Sequence, residues 1–472
     1  MKDLTQGSVR RHIIAMATPI TIGMLVQTLY FMIDLYFVSR LGTDDIAGVS
    51  AAGAVVLLVM ALTQMLSVGT MAPISRAVGA KDRAGANLVF NQSLLLALAC
   101  TLLTLVVGAL GIPRYMLGVG ASPAIAAAGA TYLLWYLPGL ALQFAFASVG
   151  ASLQGTGITR PAMVVRLVTL AVNIVLAPVL IAGWGTHHPM GVAGAGLAST
   201  IAGVVGIAMM VAYFMRLETY VGLDASALRP DWAVQARMLK IGLPAGGELA
   251  LMFLLNTVTF AVIRGLGPDA QAGFGIGSRV LQAILMPALA VSFAVPAIAG
   301  QNFGARQGTR VRETLKQALL IELAIGVGMV AACQIWPGVP IGWFTQDART
   351  AAIGTEFLRT ISWNFFAVGI VFGCSGIFQA LGNTWPAMAS SAARLAMFVL
   401  PAVALSRHAG FELATIWHLS VATTVAQAVV SVALVRWQMN KRLGPLAAPP
   451  VAAVPAGSAR GPSTLEACPP SA

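Results

Sequence analysis

Apolar residues run along this chain in long unbroken blocks, near 12–38, 46–74, 87–111, 125–153, 162–184, 191–215, 238–263, 271–299, 314–337, 350–378, 387–406 and 412–437. An α-helix needs ~20 residues to cross a bilayer, and each block reaches that length. A segment alone in lipid must satisfy its own backbone hydrogen bonds, so each block reads as a membrane helix. The pattern predicts an all-α polytopic membrane protein with twelve transmembrane helices. The first block follows Lys2, Arg10 and Arg11 and has the look of a signal peptide. From Ile13 to Val38 it is too long for an h-region and carries no A-x-A cleavage site, so it is taken as the first retained span. Residues 441–472, rich in Pro, Ala and Ser, cannot bury a core and are expected to form a disordered tail.

The twelve blocks contain an internal repeat at a constant offset of 225 residues. Pro19 aligns with Pro244, Gly42 with Gly267, Asp44 with Asp269, Gly79-Ala80 with Gly304-Ala305, Gln154 with Gln379, Gly157 with Gly382, and Pro161-Ala162-Met163 with Pro386-Ala387-Met388. Shared hydrophobic composition would align Leu and Ala at random; it would not align the punctuating Gly, Pro and Gln. Six blocks precede residues 217–236 and six follow, so both copies enter the membrane from the same side. They form a parallel repeat about a pseudo-twofold axis along the membrane normal, with a central cavity expected between them. The expected organisation is an N-lobe at 1–216 (helices 1–6), an inter-lobe linker at 217–236, a C-lobe at 237–440 (helices 7–12) and the tail at 441–472.

Charge then fixes an expected orientation. The chain of 472 residues has 28 Lys and Arg against 16 Asp and Glu, a net +12, with 58% hydrophobic residues and a mean hydropathy of +0.84. A soluble domain spends about a quarter of its residues on charge, so a soluble or disordered chain is excluded. Threading twelve spans with the N-terminus inside leaves eighteen Lys and Arg on the cytoplasmic side, from Lys2 to Arg442, and only Arg40, Arg114, Arg264, Arg349 and Arg407 outside. That asymmetry favours cytoplasmic termini, and it accounts for the basic balance without a nucleic-acid partner. Cys100, Cys333, Cys374 and Cys468 lie far apart with no CxxC pair, and His187-His188 has no further ligands nearby, so neither a disulfide framework nor a metal site is expected. Gly273-Phe274-Gly275-Ile276-Gly277 lacks the strand and full spacing of a nucleotide loop, and no Walker motif is present. No cofactor and no ATP are expected.

The residues that carry the repeat resemble those of a known family. Asp34 in "MIDLYFVSRLG", "SRAVGAKDRAGA" after the second helix, "GQNFGARQ" after the eighth, and the paired "LQGTGITRPAM" and "FQALGNTWPAM" junctions are similar to the multidrug and toxic compound extrusion (MATE) family over about residues 8–440. The resemblance implies a monomeric secondary antiporter of the bacterial inner membrane. It would expel amphipathic, mostly cationic organic compounds or drugs in exchange for protons (H+) or sodium ions (Na+), by rocking of two lobes.

Such coupling needs a group that gains or loses charge when the driving ion binds, reachable from each side in turn. Intramembrane acids are the candidates, because a carboxylate in hydrocarbon costs at least ~2.5–3.5 kcal/mol and normally faces something polar. Asp34 lies near the outer end of helix 1 with Tyr30 and Gln27 one and two turns back on the same face; a plainer role is a surface pair with Arg40. The resemblance implies that an acid here is the central coupling residue. In helix 5 the family pattern has Asn, three residues, then an acid before Pro; this chain has Asn173 but Ala177 before Pro178. Asn173 would either hydrogen-bond Asp34 or make an interhelical contact. Glu248 in helix 7 stands about one turn closer to Pro244 than the family's acid, a place held here by Met252. It would reach the cavity or pair with a membrane arginine. The expected coupling residues are therefore Asp34, Asn173 and Glu248, and the expected cavity residues Gln27, Tyr30 and Met252.

Arg166, Arg279, Arg359 and Arg394 lie inside apolar blocks. Pairing with Glu248, Glu322 or Glu356 as structural glue is the plain expectation; unpaired in the cavity, they would instead suit anionic or zwitterionic substrates. A lipid-linked precursor flippase of the wider superfamily is the nearest alternative, although such proteins commonly carry extra helices. A membrane enzyme would need a cluster of His, Asp or Glu at a membrane face, and none of the five histidines belongs to one.

Overall fold

The computed structural model describes residues 2–444 apart from 120–121, 186, 219 and 408–410. The helices are α1 (Val9–Val38), α2 (Thr43–Gly79), α3 (Arg83–Val119), α4 (Pro123–Gly155), α5 (Arg160–Ile181), α6 (Val192–Leu217), α7 (Trp232–Ile263), α8 (Pro268–Gly304), α9 (Gly308–Ile335), α10 (Gly338–Gly342), α11 (Ala348–Ile361), α12 (Asn364–Leu381), α13 (Trp385–Leu405) and α14 (Leu413–Leu443). Among the described residues twelve helices are long and apolar enough to cross a membrane, α10 and α11 being the two that are not. The chain is a multi-pass, all-α membrane protein of two six-span lobes.

The repeat holds to the residue. Adding 225 to Thr43, Arg83, Pro123 and Arg160, the first residues of α2, α3, α4 and α5, gives the first residues of α8, α9, α11 and α13. The turns repeat as well. Lys81 and Arg306 both sit in the left-handed region, at φ 59° and 58°. Each follows the end of its helix, where Asp82 N donates to Ala77 O at 2.9 Å and Gln307 N to Asn302 O at 2.9 Å. This left-handed cap satisfies carbonyls that the end of a helix would otherwise leave unpaired.

Two expectations are corrected. The tenth block, 350–378, is not one helix. It divides at Ser362-Trp363 into α11 and α12. Gln334 Nε2 donates to the Arg359 carbonyl at 2.7 Å and to Ser362 Oγ at 3.0 Å, occupying backbone and side-chain acceptors at the break. The equivalent place in the N-lobe holds Pro138, which α4 carries without interruption. The tail also begins later than expected, because α14 runs on through Lys441 and Arg442 to Leu443. The remainder of that tail, with Cys468, lies outside the described residues.

Both lobes pack on small residues. α12 buries nearly all of its surface, with Gly373-Cys374-Ser375-Gly376 at its centre, whereas α3 presents Leu102, Leu103, Val106, Val107 and Leu110 outward, as a lipid-facing helix does. Between the lobes the chain from α6 to α7 is tied to α3 by Gln92. Its amide donates to the carbonyls of Ala227 and Arg229 at 2.9 and 2.7 Å, and its oxygen accepts from Asp231 N at 3.0 Å.

The lobes meet on the face that carries the basic junctions. There α2 and α8 cross so closely that a Cβ on Gly79 would overlap the Gln301 carbonyl and one on Gly304 the Arg76 carbonyl. Arg76 and Gln301 are themselves repeat partners, so the crossing lies on the pseudo-twofold axis. Flanking it, a Cβ on Gly69 would come 2.6 Å from the Met238 carbonyl, where α2 meets α7. Residues 2–7 strap the same face. Lys2 N donates to the Thr156 carbonyl of the N-lobe at 2.8 Å, while Leu4 N donates to Gln301 Oε1 of the C-lobe at 3.0 Å. Arg310 Nη2 donates to the Gly7 carbonyl at 3.0 Å, and the Leu4 side chain is fully buried beside α8.

This closure is open to test with spin labels at Arg160→Cys and Trp385→Cys, exposed repeat partners on that face, after replacing the native cysteines by Ser. Leu4→Asp, which forces a carboxylate into the apolar seam, should lengthen and broaden the distance distribution. An unchanged distribution would show that the strap does not help to hold the lobes together.

Candidate functional site

Closure of the basic face leaves a cavity of about 1610 Å³ between the lobes, larger than the ~300–1,000 Å³ of ordinary small-molecule pockets. It reaches the helix ends of the opposite face, where Tyr36, Ser39, Trp336 and Trp343 line it. Most of its wall is apolar, including Met24, Met252, Phe293, Leu289 and Phe372. Of the expected cavity residues, Gln27 and Met252 line it. Tyr30 instead borders a smaller recess of about 70 Å³ inside the N-lobe, which shares Gln27, Tyr136, Gln143 and Arg166 with the main cavity. That volume is room for a few waters.

Beyond the recess lies Asp34, 5% exposed. Apolar packing along α1 would not tolerate a lone carboxylate, and α4 supplies the polar group that faces it: Tyr132 OH donates to Asp34 Oδ2 at 3.2 Å. Asp34 Oδ1 is buried with no hydrogen-bond donor among the described residues. Arg40, the alternative partner at the surface, turns away to donate to Tyr36 OH and stacks over that ring, its Cζ 4.7 Å from the centroid.

Asn173 does not bond Asp34. Its Nδ2 donates to Tyr30 OH at 3.1 Å, and Tyr30 donates onward to Ser199 Oγ at 3.0 Å, a chain that joins α5, α1 and α6. Of its two expected roles this is the interhelical contact: on α1, Tyr30 is a turn from Asp34, and its longer side chain takes up the amide. Asn173 Oδ1, like Asp34 Oδ1, is buried without a donor among the described residues. Ala177 is fully buried nearby in the N-lobe core.

Glu248 belongs to neither chain. It lines the main cavity from α7, and its Oε2 accepts from Ser375 Oγ of α12 at 2.7 Å. The structure thus separates the three expected coupling residues into Asp34 with Tyr132, Asn173 with Tyr30, and Glu248 with Ser375. Sequence reading missed Tyr132 and Ser199 as partners. Tyr132 was visible as a hydroxyl in an otherwise apolar block, but its repeat partner is Phe357, which hid its polar role. Glu322, considered only as a partner for arginine, accepts from Ser292 Oγ at 2.6 Å and packs against Gly369 and Gly373 of α12.

The arginines do not act as glue for those acids. None of Arg166, Arg279, Arg359 and Arg394 lies within 4.0 Å of a carboxylate of the described residues; the ion pair seen is Arg349 with Asp269 at 3.4 Å. Arg359 is exposed away from the cavity, while Arg166, Arg279 and Arg394 line it.

The separation of the clusters has a measurable consequence. Tyr132→Phe leaves the buried Asp34 Oδ2 without its donor, a loss of about 1–3 kcal/mol, and should lower Tm in detergent. It should lower Tm much less in an Asp34→Asn background, whereas Ser375→Ala, at the separate Glu248 pair, and Asp34→Asn should add independently. Additivity of the first pair would deny the Tyr132–Asp34 contact.

Comparison with known proteins agrees with this architecture. The MatE family model matches residues 19–179 and again 244–404, the two copies offset by the same 225 residues. The chain is 24% identical over 427 residues to the probable multidrug resistance protein YoeA of Bacillus subtilis, covering 88% of this chain and 90% of that one. It is likewise 24% identical to an FAD transporter of Shewanella oneidensis, covering 86% and 91%. A solved outward-facing multidrug resistance MATE transporter of the MOP superfamily superposes with a TM-score of 0.87 at 25% identity, covering 93% of this chain and 98% of that one. With both lobes matched and the cavity between them described, the chain belongs to the MATE family and is a membrane transporter, not an enzyme.

Proposed function

We propose that this protein is a secondary active efflux antiporter that moves amphipathic organic compounds out of the cell in exchange for protons or sodium ions. The observation that carries the reading is Asp34: a carboxyl buried in the N-lobe, with one oxygen lacking any donor among the described residues, one turn from Tyr30, which borders the recess that joins the cavity. A proton on Oδ1, or a cation held between Asp34 and neighbouring oxygens, would supply what that atom lacks. The apolar wall suits the body of an amphipathic compound, and two relatives are named as probable multidrug resistance proteins. The FAD transporter shows that the same fold also serves a quite different solute.

Only a ligand that binds the two states unequally can shift their balance. The closed basic face and the cavity reaching the opposite face define one state; with the termini cytoplasmic, as the basic junctions favour, it is the outward-open one. In this reading the ion enters at Asp34 in that state, substrate leaves, and the lobes rock so that the α2–α8 crossing parts, giving an inward-open state where ion is exchanged for substrate. The chain acts as a monomer in the bacterial inner membrane and needs no cofactor.

The test is dye efflux from vesicles under separately imposed proton and sodium gradients. Asp34→Asn should insert normally yet lose gradient-driven efflux by at least tenfold, and only one of the two gradients should drive the unaltered protein. Glu248→Gln should reduce efflux less than Asp34→Asn, because Glu248 lies apart from the Asp34 cluster. Full gradient-driven transport by Asp34→Asn would sink the coupling assignment.

A further inference from the structure

Charged side chains along the main cavity are few and unequal: Arg166, Arg279 and Arg394 against Glu248 alone, among the described residues. Guanidinium groups stay protonated at any working pH, so this positive field is permanent. It is also uncompensated by protein. No carboxylate of the described residues pairs with these arginines. Among the described residues Arg166 donates to the Gly23 carbonyl and Gln27 Oε1, at 3.4 and 3.5 Å.

The C-lobe wall adds donors of the same kind. Arg394 Nε is buried with no partner among the described residues, and so is Nε1 of Trp417, a residue 1% exposed that lines the cavity. An indole N–H can only donate, and a guanidinium has no acceptor. Unpaired donors in a low-dielectric wall are costly, and a ligand rich in acceptors offsets that cost. Around Trp417 the wall is aromatic: Phe274 stacks on it at 5.6 Å and 14°, and Phe357 meets it edge-on at 4.9 Å. An arginine fork matches the two oxygens of a carboxylate, sulfonate or phosphate, whereas an organic cation would meet repulsion from three sides.

From this juxtaposition we propose that the C-lobe wall formed by Arg279, Arg394 and Trp417, faced by Arg166 across the cavity, is a binding site for organic oxyanions carried on an aromatic or apolar body. The inference rests on the transport reading above and replaces its expected cationic substrates with anionic ones. It also separates the two functions in space. Substrate charge is read in the C-lobe and the coupling ion in the N-lobe, so the two exchange through the rocking of the lobes and not by competing for one carboxylate. Expelling an anion from a cell that is negative inside is assisted by the membrane potential, which opposes expulsion of a cation.

Two xanthene dyes of similar shape and opposite charge make the test: fluorescein, an anion, and rhodamine 123, a cation. Binding to the purified full chain is read by fluorescence anisotropy, and efflux from proteoliposomes by dequenching. Fluorescein should bind the unaltered protein at least tenfold more tightly than rhodamine 123. The Arg279→Gln/Arg394→Gln variant should weaken fluorescein at least tenfold while leaving rhodamine 123 unchanged or tighter, and Arg279→Lys/Arg394→Lys should recover part of the loss, which excludes misfolding. Equal affinity for both dyes, or fluorescein binding untouched by the double Gln variant, overturns the site. Asp34-dependent efflux of rhodamine 123 with fluorescein ignored would overturn this inference and leave the antiporter reading standing. Arginine-dependent fluorescein binding that no ion gradient can drive into efflux would do the reverse.

Discussion

Everything in this molecule is arranged around the place where α2 and α8 cross with glycine against carbonyl. Gly79 and Gly304 are repeat partners, as are the Arg76 and Gln301 carbonyls they face, so one duplicated sequence supplies both halves of the contact. Backbone approach of this kind gains dispersion contacts where lipid offers no hydrophobic drive for helices to associate. It also fixes the geometry elsewhere. With the lobes pinned on the basic face, their other ends must diverge, and the cavity is the space that divergence opens. The strap of residues 2–7, bonded to both lobes, adds to the same seam.

On that symmetric frame the chemistry is laid down asymmetrically. The N-lobe buries a carboxyl with tyrosine and asparagine around it; the C-lobe places arginines and an aromatic group on the cavity wall. Arg394 has Thr169 as its repeat partner and Arg279 has Ala54, while Asp34 has Thr259. Duplication supplied two equal scaffolds, and substitution after duplication gave them different work. Even the break between α11 and α12 follows this rule, because its N-lobe equivalent is Pro138 inside a continuous helix.

The helices and their pairing were legible because lipid leaves the backbone little choice: twelve long apolar blocks and an offset of 225 residues specify the architecture almost alone. The site was legible only in part. Asp34 stood out since a carboxylate in an apolar block is expensive, but its partner could not be read, because Tyr132 and Asn173 are equally plausible donors until the helices are packed. The membrane arginines were seen and their partners misjudged. Spacing shows that Arg394 and Glu322 both lie inside apolar blocks, not that one faces the cavity while the other turns toward Ser292.

Transport in this scheme requires the α2–α8 crossing to part, and a disulfide placed there tests that requirement most directly. Ser75 and Gly300 are repeat partners on the axis, and a Cβ on Gly300 would lie 3.0 Å from Ser75 Cβ, just under the ~3.5–4.5 Å that a disulfide spans. In the Ser75→Cys/Gly300→Cys protein, with the native cysteines replaced by Ser, oxidation should abolish transport and reduction should restore it, while ligand still binds from the open face. Undiminished transport by the fully oxidised protein would contradict the account.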